Sequence, residues 1–180
     1  SRACARVTTT TRVKVMDPLL AERIERLAGQ SPSFQQAWAM ILNSGVPVQI
    51  GRFDQLRSEL PRWYRSHPAR WAGVTVNSAG ATGDLDRSVV ALHVELMERQ
   101  ARAQPIEGDP YFLAEVDRVL IHEIYGHLAP VVEAGDARKE CPDHLRRGET
   151  RPCVTAREAL IAAELAHSRL TASTGNIGWR

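Results

Sequence analysis

Three side chains in the run IHEIYGHL (121–128) offer the clearest chemistry in the sequence: His122, Glu123 and His127. Neutral imidazoles are good donors to zinc. A glutamate beside the first of them stands where it can take a proton from a water that the metal has made more acidic, and that water can then attack a carbonyl carbon. The spacing is unusual. On an α-helix, at about 100° per residue, histidines four apart lie nearly above one another, whereas five apart they point roughly 140° away from each other. His122 and His127 can therefore share an ion only if the helix is distorted between them. Gly126 offers one route, because glycine adopts a left-handed conformation at low cost and can end a helix there, swinging His127 back. A π-bulge would serve as well.

A catalytic zinc takes three protein ligands and keeps one position open. Downstream candidates for the third ligand are Glu133, Asp136, His144, Glu158, Glu164 and His167. Glu158 is favoured, because it sits near the start of a largely apolar helix where an unpaired carboxylate would be costly to bury. Thr155 and Glu158 also form a capping-box pattern, which would give Glu158 a purely structural task. Cys141 and Cys153 bracket a polar loop, and a disulfide between them would suit a periplasmic or extracellular site of action. Together with His144 they supply only three ligands for a second, structural zinc. Cys4 lies in the N-terminal stretch and receives no role.

The elements that must position these groups follow from patterning. Asp17 caps a helix with Pro18 at its first position and Leu20, Ile24 and Leu27 at helical spacing. A second helix, capped by Ser31 or Ser33, runs to about Leu42. Val46–Phe53 alternates like a strand, and Pro47 makes it an expected edge strand. Asp54 caps a short helix to Leu60, and 62–71 is expected to be irregular. Ala72–Asn77 reads as another strand, and 88–97 has both strand and helix character. Tyr111–Ala129 is the strongest helix, with Asp109 and Pro110 at its start and Pro130 at its limit. Thr155–His167 is a second strong helix, followed by an irregular tail.

The chain has 180 residues, 43% of them hydrophobic, which suits one domain with a real core. Its formal net charge is +2, and its basic residues are spread out without any run of five, so no nucleic-acid surface is expected. No apolar run reaches 18 residues, so no membrane span is expected either. Ser1–Thr11 reads as a linker or tail and 12–180 as the domain. The absence of a starting Met and of a signal peptide points to a fragment of a longer protein.

Two runs, VLIHEIYGH (119–127) and REALIAAEL (157–165), resemble the zincin-type metallopeptidase toxin domains of bacteria, such as those fused to type VI secretion spike (VgrG) proteins. The resemblance covers about the last third of the chain, and the five-residue histidine spacing departs from the commonest H-E-x-x-H form. It implies an α+β fold of the zincin-like kind, with N-terminal helices, a small twisted sheet, an active-site helix and a further helix. It also implies Zn2+ held by His122 and His127, Glu123 as the catalytic base, and an acidic residue on the later helix, here matched by Glu158, completing the metal site. The implied activity is a zinc-dependent peptidase acting as a secreted effector on a protein or peptide substrate. Such a domain would belong to a larger secretion-associated protein, be delivered into a target cell or its periplasm, and meet an immunity protein. Competing readings are a zinc amidase acting on peptidoglycan and a non-catalytic binding or adaptor domain. A substrate peptide is expected to lie along an edge strand, with VPVQI or AGVTV as candidates.

Overall fold

The structure is a computed structural model, and it describes residues 11–103, 109–139 and 152–174. It is a mixed α+β fold in which helices surround a four-stranded sheet. Strand β1 (Val13–Val15) leads through Asp17 into helix α1 (Pro18–Gln30). Asp17 accepts the Leu20 amide at 3.1 Å, as an N-cap should. Ser31 then closes α1 and opens α2 (Pro32–Asn43), its hydroxyl accepting the Phe34 amide at 3.1 Å. Of the two expected caps for this helix, Ser31 is the one used.

Strand β2 (Val48–Arg52) is followed by two short helices, α3 (Phe53–Leu56) and α4 (Arg62–Ser66). The expected helix from Asp54 to Leu60 is thus shorter: it starts at Phe53 after Arg52, and Arg57–Glu59 forms only a 3₁₀ turn. The segment expected to be irregular holds α4 and a second 3₁₀ turn, Pro68–Arg70. Strands β3 (Gly73–Ala79) and β4 (Leu85–Leu92) form an antiparallel pair. The ambiguous stretch divides at His93, with its valines completing β4 and the rest forming α5 (Val94–Arg102).

The sheet order is β1-β2-β4-β3, with β1, β2 and β4 parallel and β3 antiparallel at the edge. This corrects the expectation that VPVQI is an edge strand. Pro47 stands just before β2, outside the ladder that its missing N–H would break, and its carbonyl accepts the Ser88 amide at 3.0 Å. Val48 and Ile50 are then fully buried between two neighbours. The AGVTV strand, in contrast, is at the edge.

The helical run after α5 is longer than expected. Helix α6 (Asp109–Leu120) continues into a π-helical segment, Ile121–Leu128, and then into α7 (Ala129–Ala134). Pro130 does not end it, because it falls in the first turn of α7, where a missing N–H breaks no bond of that helix. The run stops at Gly135, whose φ of 63° is the left-handed conformation that glycine adopts freely. The last helix, α8 (Pro152–Thr174), begins before Thr155 and extends past His167. Thr155 is therefore inside the helix rather than at its cap, and the tail is helical as far as Thr174.

The main core lies between the sheet and the helices, with Leu20, Ile24, Phe34, Ile41, Ile50, Val90 and Leu92 at its centre. Val116, Leu120, Ile124 and Leu128 run at helical spacing through α6 and the π segment and are fully buried. Each contributes about 1.5–3 kcal/mol by leaving water. A smaller core of Leu56, Leu60, Trp71, Val74 and Val89 covers the other face of the sheet. Arg23, only 7% exposed, ties α1 to α6 through a two-pronged ion pair with Asp117 at 2.7 and 2.6 Å. No described helix is long and apolar enough to cross a membrane.

Candidate metal centre

The π segment brings the two histidines together. Its bonds step by five residues instead of four, so the Ala129 amide reaches back to the Ile124 carbonyl. Five-apart side chains then share a face, and the Nε2 atoms of His122 and His127 come within 3.1 Å. The expected distortion is present, and of the two devices considered it is the π-bulge. Gly126 is buried inside the segment and does not have a positive φ, so the glycine-cap expectation is corrected.

Helix α8 supplies the third group. Glu158, Ile161 and Leu165 follow one another at i, i+3 and i+7, with Ile161 and Leu165 buried in the main core. That packing turns Glu158 toward His122, and its Oε1 contacts His122 Nδ1 in a short hydrogen bond. Glu158 is thus engaged with a histidine. Its partner atom is Nδ1, whereas His127 meets Nε2, so the two neighbours of His122 lie on opposite nitrogens. A neutral His122 that donates its Nδ1 proton to Glu158 presents the Nε2 lone pair toward His127. Among the described residues, no group of three or more His, Cys, Asp or Glu converges on one point.

Glu123 lies against the sheet edge. It is 4% exposed, and its Oε2 accepts the Thr75 hydroxyl of β3 at 2.7 Å. The same hydroxyl lies 3.3 Å from the Glu123 carbonyl, which docks the first turn of the π segment on β3. Gly73, two residues earlier on the same strand face, makes this approach possible. A Cβ there would stand 2.5 Å from Val119 Cγ1, 2.9 Å from Glu123 Cγ and 3.0 Å from Glu123 Oε1. His122 and Glu123 both line a cleft of about 200 Å³, together with Trp71, Gly73, Gln100 and Arg118. A larger cavity of about 810 Å³ opens between α1, α6 and α8, lined by Leu113, Ile121 and Leu165 and by the charged Arg23, Arg118 and Glu158. Arg118 borders both spaces.

The remaining candidates for a third ligand are engaged or remote. Asp136 pairs with Arg138 at 2.9 and 3.0 Å, and that guanidinium lowers its pKa to about 2. Glu164 binds the start of α2: Ser31 and Ser33 donate their hydroxyls to it, the latter at 2.5 Å, and the Ser33 amide donates at 3.1 Å. Burial alone would raise the Glu164 pKa, but these donors hold it below the usual carboxylate value. Glu133 and His167 are exposed. His144, Cys141 and the expected Cys141–Cys153 disulfide lie outside the described residues and side chains.

Sequence reasoning missed Thr75, Gly73 and Arg157. The first two carry a faint signal, since a glycine and a threonine at alternate positions of AGVTV leave that strand face small and polar. Arg157 donates from Nε to the Tyr125 carbonyl at 2.8 Å and stacks its guanidinium 4.1 Å from the Tyr125 ring centre. Comparison of the chain with family models, with curated proteins and with solved structures finds no match.

Proposed function

We propose that this chain is a zincin-like, zinc-dependent peptidase, in which His122 and His127 hold the metal and Glu123 is the catalytic base. The observation that carries the reading is the 3.1 Å separation of the two Nε2 atoms. Two nitrogens bound at about 2.0–2.1 Å to one tetrahedral zinc stand about 3.3 Å apart, so the pair is already spaced for a shared ion. When bound, zinc supplies a Lewis acid that polarises a carbonyl and acidifies a water.

The chain's own residues divide the remaining work. Glu158 accepts the Nδ1 proton of His122 and so fixes which nitrogen faces the metal, the role carboxylates commonly play behind zinc-binding histidines. Thr75 anchors Oε2 of Glu123, keeping the carboxylate in the cleft beside His122, where it accepts a proton from water. Strand β3 lies at the sheet edge directly over Glu123, so an extended peptide pairing with it would run past the base. The larger cavity beside Glu158 joins apolar walls from Leu113, Ile121 and Leu165 to the charged side chains of Arg23, Arg118 and Arg169. Delivery as a bacterial effector attached to a larger secretion-associated protein, with an immunity protein as antagonist, remains the biological setting suggested by VLIHEIYGH and REALIAAEL.

Glu123→Gln tests the reading. The variant is expected to keep its metal and to lose peptide hydrolysis by a factor on the order of 10²–10⁴, the usual contribution of a positioned base. Wild-type turnover by Glu123→Gln would remove Glu123 from the mechanism. Hydrolysis of purified peptidoglycan but not of unfolded protein by the wild type would replace peptidase with amidase.

A further inference from the structure

Within the π segment, the Tyr125 carbonyl lacks the donor five residues on. The Ala129 amide bonds the Ile124 carbonyl, so the next bond in that five-residue step would join residue 130 to the Tyr125 carbonyl. Residue 130 is a proline and has no N–H to give. A backbone carbonyl left unbonded inside a fold is costly, and the helix could recover its bonding only by changing register. Here the missing bond comes from another helix. Arg157 Nε donates to the Tyr125 carbonyl at 2.8 Å, and its guanidinium covers the Tyr125 ring at 4.1 Å. The next residue on α8, Glu158, holds His122.

We infer that Arg157 is a positioning residue which substitutes for the Pro130 amide, locks the π register and thereby keeps His122 and His127 on one face. The inference rests on the metal-binding reading of those two histidines, but it concerns the backbone that brings them together. Arginine suits the task because its planar fork can stack and donate at once, which lysine cannot match. Adjacent residues of α8 therefore hold two points of the π segment, Glu158 at His122 near its start and Arg157 at Tyr125 in its middle.

A double-mutant cycle on the full chain tests this with Pro130→Ala, Arg157→Ala and the two combined. Alanine at 130 restores an amide that can bond the Tyr125 carbonyl, so Arg157 should become dispensable. Two readouts are taken: Co2+ affinity by visible absorption, and amide hydrogen exchange of residues 121–134 in metal-free protein. Arg157→Ala alone is expected to weaken Co2+ binding by about 10–100-fold, the range typical of groups that orient ligands, and to speed exchange in the segment. In the Pro130→Ala background the same substitution should cost no more than about 3-fold, with exchange slowed again. An equal loss in both backgrounds, or no loss in either, would overturn the inference. If the wild type takes up no Co2+, the metal reading fails, and exchange alone decides the role of Arg157 by the same comparison. If Arg157→Ala does not fold, Arg157→Lys replaces it, with a smaller loss of about 3-fold expected with Pro130 and none without it.

Discussion

Glu123 is the residue on which the proposed chemistry turns, and its placement depends on two small neighbours. Thr75 gives it a hydrogen bond at 2.7 Å, and Gly73 gives it room. Gly73→Ala should therefore act on the site more than its size suggests. The new methyl would meet Val119 at 2.5 Å and Glu123 at 2.9 Å, distances at which something must shift. The expected cost is about 1–3 kcal/mol of stability, as for other overpacked sites. Proteolysis should fall further than stability, because the carboxylate itself is displaced. Chemical denaturation and a peptidase assay on the same preparation check this, and an unchanged rate with lowered stability would mean that Glu123 had not moved.

At the scale of elements, much was legible. Asp17 with Pro18 and the α1 stripe of Leu20, Ile24 and Leu27 follow from capping and period and are present, and Ser31 is one of the two caps left open for α2. What the sequence alone left open were choices settled by neighbours. Pro47 excludes a place inside a ladder, and it does not decide whether the strand beyond it has one partner or two. The five-residue histidine spacing demanded a distortion without saying which, and Pro130 looked like a stop until Arg157 supplied the bond it lacks. Glu158 was expected as the third metal ligand, and its meeting with Nδ1 of His122 depends on how α8 packs.

Glu164 carries an element-scale prediction. Its carboxylate caps α2 from α8, and its pKa is held below the ordinary carboxylate value by the Ser31 and Ser33 donors despite the opposing pull of burial. A carboxyl whose folded pKa is lowered stabilises the fold above its unfolded pKa, and that contribution fades as pH falls through the folded value. Glu164→Gln should therefore be less stable than the wild type at neutral pH, by about 1 kcal/mol as for other helix caps. The difference should shrink as pH falls through and below 4.5. Urea midpoints of the two proteins across that range check it, and a gap that does not change with pH would contradict it.

For the whole molecule, the sheet edge, the π segment and α8 meet at one place. Strand β3 faces Glu123, the π segment presents both histidines, and α8 brings Glu158 and the wall of the larger cavity. Sheet order and helix packing, which make this meeting, are long-range properties that no local pattern encodes. The direct test is zinc content after purification of wild type, His122→Ala and His127→Ala, each confirmed folded. Near-stoichiometric zinc in the wild type and its loss from both variants is the expected result. A wild type without zinc, or a His127→Ala protein that keeps it, would contradict the account.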